Sequence, residues 1–370
     1  MSAGSLLDGY DVVVCQDCGF GFADNLPDQT AFDAYYREMS KYEHQERGGQ
    51  QTEFENRRFP ATAEIIKLLL PDHQARILDI GCATGGLLHT LSQNGYRNVL
   101  GIDPSPVCAR TASDLYQIKV LTGTLSDITD DIGIFDLIIL AAVLEHLQHL
   151  ESALSRAKGL LSDRGMLYIE VPDAAHFICS DRDAPFQEFS IEHINYFSVA
   201  SLSNLIQSYG FYKIFSQQTS IEQSTGIIAH DIKAMFQRAD HVQSLTLVHD
   251  TETEQNLRAY ISKSQEIENR IIRKIDSLVT DGKPIIVWGV GTLTQRLSAV
   301  SKLAKANIQV YVDSNPRYQG RQIDQIPIIA PAELKGRTEP ILISSIIFQE
   351  EIKRQIRNDL KLTNKIIKLS

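Results

Sequence analysis

From about Phe59 to Gln237, short apolar runs alternate with stretches in which apolar positions recur every three or four residues. The runs "RILDI", "NVLGI", "KVLTG", "FDLIIL" and "MLYIEV" read as strands, and the segments between them have helical spacing. This alternation predicts a parallel sheet with helices on both faces. Over residues 239–281 the chain turns mostly charged and polar, with Leu257, Ile261, Ile267, Ile271, Ile275 and Leu278 at helical intervals. That stretch predicts one or two connecting helices, ending at the turn signal "TDGKP". A shorter alternation follows: "PIIVWG", a helix to Ala306, "IQVYVD", the turn "SNPRYQG", "IPII", "PILISS", a helix over Glu350 to Leu360, and "KIIKLS".

These changes of pattern divide the 370 residues into a short head (1–50), an α/β domain (51–238), a helical connector (239–281) and a smaller Rossmann-like domain (282–370). The length is too great for one hydrophobic core. With 43% apolar and 22% charged residues and no polar low-complexity tract, the chain reads as globular. Its longest apolar stretches, 134–144 and 341–348, fall short of the roughly 18 residues a membrane helix needs, so no membrane partner is expected. The start, "MSAGSLLDGYD", has neither a basic nor an apolar leader region, and five cysteines with one C-x-x-C do not resemble a disulfide framework. A cytoplasmic location follows as the expectation. A net charge of −10 without a Lys/Arg block argues against nucleic acid and for a small-molecule ligand.

The candidate chemistry begins at "RILDIGCATGG". In a parallel sheet the first strand-to-helix turn must let backbone approach the ligand, and Gly81, Gly85 and Gly86 permit it. The pattern is D-x-G-x-x-x-G-G rather than the G-x-G-x-x-G of a pyrophosphate turn, with Asp79 ahead of the first glycine, where an acid repels phosphate and helps hold an ammonium. Asp103 closes the next strand about 20 residues after that glycine, the place for an acid that bonds ribose hydroxyls. Ribose with a cationic group and no phosphate describes S-adenosylmethionine. A structural reading stays open beside it, in which the glycines serve the turn and Asp103 caps the helix near Ser105.

At these residues the sequence resembles the class I S-adenosylmethionine-dependent methyltransferases, whose signature stretches are similar to "LDIGCATGG", "GIDPS", "FDLIILAAVLEHL" and "GMLYIEVP", in that order. The resemblance implies a class I methyltransferase sheet. It also implies that Gly81, Gly85 and the Asp79 region face the methionine moiety, that Asp103 faces the ribose, and that Gly123 to Leu125 face the adenine. Cys82 and Ala83 in the turn, with Pro104, Thr124, Leu125 and Ala142, complete the cofactor set. Glu145 and His146 of "VLEHL" read mostly as caps of a helix following the strand.

A segment over about Asp173 to Asn195 is expected to lie over the transferred methyl as part of the acceptor pocket. Within it Glu192 and His193 are adjacent, with Tyr196 three residues on, and an imidazole with an ordinary pKa near 6.5 suits removal of an acceptor proton. The alternative is that the pair only holds a lid to the sheet. The whole chain also resembles the sugar C-methyltransferases that act on nucleotide-linked 4-keto-deoxysugars. The matching stretches are "VVVCQDCGFGFADNLPDQTAFDAYY", "IEHINYFS", "VWGVGTLTQRL", "VYVDSNPRYQG", "IPIIAPAEL" and "ILISSIIFQEEI". That likeness implies a zinc-binding head, His193 as base with Glu192 beside it, and a nucleotide sugar as acceptor. Proton loss beside the ketone then gives an enolate carbon that takes the methyl.

Two departures stand out. The family head supplies two C-x-x-C pairs for a four-thiolate zinc site, but only Cys15 and Cys18 occur here, so a shortened or absent zinc site and a tight turn with two thiols both remain open. Near the acceptor the family carries a glycine pair and an arginine, whereas this chain reads "EQSTGIIAHD", keeping Gly226 without the arginine. In the tail, Gly289 and Gly291 follow a strand and Asp313 ends the next one, half of a dinucleotide fingerprint, with Thr294 in place of the third glycine. The expectation there is help in holding a nucleotide-bearing acceptor, with Trp288 in the core. O- or N-methylation, a nicotinamide-dependent oxidoreductase and a non-catalytic S-adenosylmethionine-binding protein are the competing readings.

Overall fold

The computed structural model describes residues 10–28, 32, 51–179, 184–189, 192–224, 227–239 and 246–369. The chain forms two compact units: 3–181 with 188–259, and 260–370 with 182–187 and the first two residues. The chain passes from one to the other within a single helix, α6 (Thr253–Thr280), where one or two connecting helices were expected.

In the larger unit, α1 (Glu53–Leu69) precedes five strands in parallel register: β3 (Arg76–Ile80), β4 (Asn98–Asp103), β5 (Val120–Thr122), β6 (Phe135–Ala141) and β7 (Leu161–Pro172). Helices α2 (Gly86–Gln93), α3 (Pro106–Tyr116) and α4 (Leu150–Leu160) lie between them. After α5 (Val199–Ser208), strands β9 (Phe211–Ser224) and β10 (Ile227–Arg238) complete a seven-stranded sheet of order β5-β4-β3-β6-β7-β10-β9, in which β10 runs antiparallel to both neighbours. The central strands β3, β4 and β6 are apolar at most positions because both faces are covered. Leu78, Ile138, Leu140, Leu167 and Ile169 fill one face. Ile77, Leu137, Ile139, Met166 and Tyr168 meet Ala63 and Ile66 of α1 and Leu88 and Leu91 of α2 on the other.

The helix starts are locally encoded. Thr52 and Glu55 close a reciprocal capping box on α1, with Glu55 N donating to Thr52 Oγ1 (3.1 Å) and Thr52 N to Glu55 Oε2 (2.7 Å). Ser105 caps α3, whose first residue is Pro106, so Asp103 is not that helix's cap. A second, three-stranded sheet of order β1-β2-β8 joins β1 (Asp11–Val14) and β2 (Gly21–Asp24) of the head to β8 (Asn195–Tyr196). The register pairs Gly21 with Tyr196 and Phe22 with Asn195, so the head is tied to the stretch carrying Glu192 and His193.

The smaller unit has its own sheet of order β13-β14-β12-β11-β15-β16, built from β11 (Ile285–Trp288), β12 (Ile308–Val312), β13 (Gln322–Ile323), β14 (Ile326–Ile329), β15 (Ile341–Ile343) and β16 (Ile366–Lys368). All pairings are parallel except the β13–β14 hairpin, whose turn residues Asp324 and Gln325 are both left-handed (φ 48° and 69°). Helix α7 (Thr292–Val300) follows β11. The helix expected over Glu350 to Leu360 is instead α8 (Gln349–Arg354), widened into a π turn over Gln355–Asp359. Trp288 is buried in the sheet core, as expected.

Candidate functional site

The turn after β3 is built from left-handed residues. Gly81 (φ 70°), Ala83 (47°) and Gly85 (77°) reverse the chain three times in five positions, and Gly81 N and Cys82 N both donate to the Ile102 carbonyl (2.8 and 3.1 Å). A Cβ on Gly81 would stand 2.8 Å from Val143 Cγ2, so only glycine leaves this cradle open. Ala83 holds its conformation at a cost of about 1–2 kcal/mol, and its N–H donates to Asp103 Oδ2 (2.8 Å). Asp103 Oδ1 accepts Ser105 N (2.9 Å), so this carboxylate draws the two neighbouring turns together. Carboxylate oxygens accept more than one bond each, which gives Asp103 the chemistry a vicinal diol requires.

Asp79 lies beneath the turn at 3% exposure. Burial pushes its carboxyl up to about 8, the Arg58 guanidinium pulls it down, and Asp103 pushes it up again. A buried acid of this kind ionises when a cation arrives. Arg58 itself, from α1, donates through Nε to Glu170 Oε1 (2.6 Å), and Lys233 Nζ stands 3.8 Å from Glu170 Oε2. Burial opposes the Glu170 charge, yet Arg58 and then Lys233 hold its carboxyl below the usual range. This network carries no sequence motif, since its members come from α1, β7 and β10.

The remaining cofactor candidates divide. Ala142, just after β6, is left-handed (φ 62°) and donates to the Glu170 carbonyl (2.8 Å). Cys82 is buried, its thiol pushed well up by burial and by Asp79. Pro104 links Asp103 to the cap of α3. Gly123 N donates to the Asp103 carbonyl (3.0 Å), bringing the end of β5 beside β4. Thr124, however, spends both its N–H and its hydroxyl on Asp127 Oδ2 (2.7 Å each), and Leu125 is buried in the core, so that segment offers backbone rather than side chains.

The acceptor candidates lie where β8 meets a 3₁₀ turn, Leu144–His146, that follows β6. Glu145 and His146 are therefore not caps of a helix after the strand. Ile194 N donates to the Glu145 carbonyl (2.8 Å), and Asn195 Nδ2 donates to the carbonyls of Leu144 (2.9 Å) and Leu147 (2.7 Å). His146 Nδ1 lies 2.8 Å from the Glu192 carbonyl, and the His146 and His193 rings meet edge-on at 4.9 Å. Glu145 is 1% exposed, its carboxyl pushed up to about 8, chiefly by burial. Sequence reasoning missed this meeting. The signal was a repeated Glu-His pair: of the three in the sequence, those at 145–146 and 192–193 are the two that meet.

Tyr196 is 1% exposed, with its hydroxyl 3.1 Å from that of Tyr10 and its ring edge-on to Phe177 and Phe189. Its phenol bonds the head through Tyr10. Cys15 and Cys18 sit in the turn between β1 and β2, with Gly19 N bonding the Cys15 carbonyl (2.9 Å). Hydrogen bonds from the Cys18 and Asp17 backbone hold the Cys15 thiol low, and burial raises that of Cys18. Among the described residues no third Cys, His or carboxylate joins them as a metal-binding group. Gly226 lies outside the described residues.

In the smaller unit, Asp313 repeats the arrangement of Asp103, accepting Val290 N (3.0 Å) and Asn315 N (2.8 Å). Thr294 Oγ1 bonds the Gly289 carbonyl and Ser344 Oγ (2.8 Å each), pinning the loop where a dinucleotide turn has its third glycine.

Residues 54–214 match the family model described as a methyltransferase domain. The chain carries a methyltransferase domain that uses S-adenosylmethionine. Residues 282–367 match a second model, described as C2185-like, N-terminal. Among curated relatives, the C-methyltransferase NovU of Streptomyces niveus is 23% identical over 349 residues, 90% of this chain and 79% of the relative. The ubiquinone biosynthesis O-methyltransferase of Azorhizobium caulinodans is 31% identical over 106 residues, 27% of this chain and 42% of its own. Among solved structures, Burkholderia thailandensis 1,6-didemethyltoxoflavin-N1-methyltransferase, with its ligand and S-adenosylhomocysteine bound, is 17% identical at a TM-score of 0.45, covering 62% of this chain and all of its own. Magnesium protoporphyrin IX methyltransferase from Synechocystis PCC 6803 is 18% identical at 0.43, covering 58% of this chain and all of its own. Among the described residues no helix is long and apolar enough to cross a membrane.

Proposed function

We propose that the enzyme methylates a carbon of a small-molecule acceptor, a keto-deoxysugar linked to a nucleotide. The observation that carries this reading is the pinning of the Glu192–His193 stretch against the 144–147 turn, at the end of β6, one strand from the cofactor turn. The similarity to a C-methyltransferase along nine-tenths of the chain supports the choice of carbon.

When bound, the cofactor supplies an electrophilic methyl group on a sulfonium. Asp103 holds the ribose hydroxyls, Asp79 faces the cationic amino-acid end, and the backbone from Gly81 to Gly85 lets the nucleoside approach. Cys82, Ala83, Pro104, Ala142 and the backbone at Thr124 and Leu125 line the rest. At the acceptor, the C–H bond beside the ketone breaks, its proton passes to an imidazole nitrogen of His193, and its electron pair remains as the enolate that forms the new C–C bond. The chain's contribution is alignment and the placement of charge. Within the tail unit, Gly289 and Asp313 form a turn suited to a nucleotide, and Cys15 and Cys18 would supply two of the ligands a zinc head needs. The division at 50, 238 and 281 and a cytoplasmic location belong to the same reading.

Incubating the enzyme with a nucleotide-linked 4-keto-deoxysugar in heavy water tests it. Deuterium is expected to enter beside the ketone with the native enzyme and not with His193→Ala, which still binds S-adenosylhomocysteine. Methyl transfer to oxygen or nitrogen without exchange rules out carbon chemistry, and exchange unchanged in the variant rules out the base.

A further inference from the structure

One carboxylate and two imidazoles converge from the Glu-His pairs at 145–146 and 192–193. Glu145, His146 and His193 each place a donor atom within 4.8 Å of the other two. The main-chain and Asn195 bonds between 144–147 and 194–195 make that convergence a property of the backbone.

The state of the His146 ring follows from its partner. The Glu192 carbonyl can only accept, so Nδ1 carries the proton, and in the neutral ring Nε2 carries the lone pair. Nε2 faces Glu145 Oε1 at 3.8 Å. An imidazole whose far N–H is held by a carbonyl is oriented as metal-ligating histidines are. The other carboxylate oxygen, Glu145 Oε2, is buried and has no hydrogen-bond partner among the described residues. Leaving such an oxygen unanswered is costly, and a cation in the cluster gives it a partner.

We infer that Glu145, His146 and His193 bind a divalent transition metal, with its remaining positions open to oxygen donors of the acceptor. One carboxylate with two neutral imidazoles suits zinc and its neighbours rather than magnesium or calcium, which take oxygen ligands. Around zinc, with ligands at about 2.0–2.1 Å, tetrahedral donors stand roughly 3.4 Å apart, so side-chain rotation of about an ångström closes the site. The metal goes beyond the reaction proposed above and changes one part of it. In the metal-free protein an imidazole nitrogen of His193 takes the proton. In the loaded protein that lone pair would be committed to the metal, which would stabilise negative charge on the acceptor oxygen while the proton passes to solvent water.

Thiols such as those of Cys15 and Cys18 compete for the same metals, so the test uses the full chain carrying Cys15→Ser and Cys18→Ser. Titration with Co²⁺ after dialysis against a chelator is expected to give visible d–d absorption without a thiolate charge-transfer band. The signal should saturate at one equivalent and be displaced by Zn²⁺. His146→Ala is expected to weaken it at least about tenfold, while calorimetry in the same sample shows S-adenosylhomocysteine binding unchanged. Glu145→Gln keeps the side chain's shape and removes its charge, and full metal affinity in that variant overturns the site. So does the absence of any saturable Co²⁺ signal. The metal arm is independent of the heavy-water arm: failure to bind Co²⁺ sinks this inference and leaves carbon methylation standing, whereas Co²⁺ binding with methylation at another atom does the reverse.

Discussion

Asp79 holds a proton that an exposed carboxyl would have lost. Its folded value of about 8 stands against an ordinary 3.8, so between those limits the folded chain binds more protons than the unfolded one and stability falls as pH rises. Asp79→Asn removes that dependence. The variant is expected to melt above the native protein near pH 8, with the gap closing toward pH 4, in scanning calorimetry of the cofactor-free protein. Binding of the cationic cofactor near pH 7 should release up to one proton, seen as a dependence of the calorimetric heat on the buffer's ionisation enthalpy. Release that persists in Asp79→Asn places the proton elsewhere. Tyr196 gives a contrasting case. Tyr196→Phe loses one hydrogen bond to Tyr10, worth about 1 kcal/mol of stability, and is expected to retain turnover. A kcat loss of several orders with an unchanged melting point would return the phenol to the chemistry.

Elements carry the next lesson. The five parallel strands of the larger unit are plain in the sequence because both faces are buried, so each is a mostly apolar run between helical stretches. The cofactor turn is legible for a related reason: left-handed backbone demands glycine, and glycines are visible. Ala83 and Ala142 adopt the same conformation without announcing it. The acceptor side was hidden because a three-residue 3₁₀ turn and a two-residue strand have no periodicity, and the bonds joining them are main-chain. Gly19 tests how far the head matters to that side. It is left-handed (φ 79°), and a Cβ there would sit 2.1 Å from the Asp250 carbonyl oxygen. Gly19→Ala should therefore cost at least about 1–2 kcal/mol and speed hydrogen exchange at 192–196, leaving exchange in β3 and β4 unchanged. Uniform acceleration would show the head to be no separate support.

At the scale of the molecule, the two alternations in the sequence correspond to two sheets with separate cores. Both were legible, but their chemistry was not equally so. The tail's glycines and Asp313 imitate a dinucleotide turn, and only the position of the Thr294 hydroxyl shows the loop to be pinned. A ligand stabilises only the body that holds it. Saturating S-adenosylhomocysteine is therefore expected to raise one of two calorimetric transitions, the one belonging to the unit with Asp103. Equal movement of both would mean that the units unfold as one.

The pairing of β2 with β8 has a practical corollary for protein production. A recombinant version begun after residue 28 retains every strand of the large sheet and every group assigned to the nucleoside, yet leaves β8 with a bare edge. Such a preparation would pass purification, circular dichroism and cofactor-affinity checks while the stretch carrying Glu192 and His193 had come loose, and its silence in an assay would be mistaken for the wrong substrate.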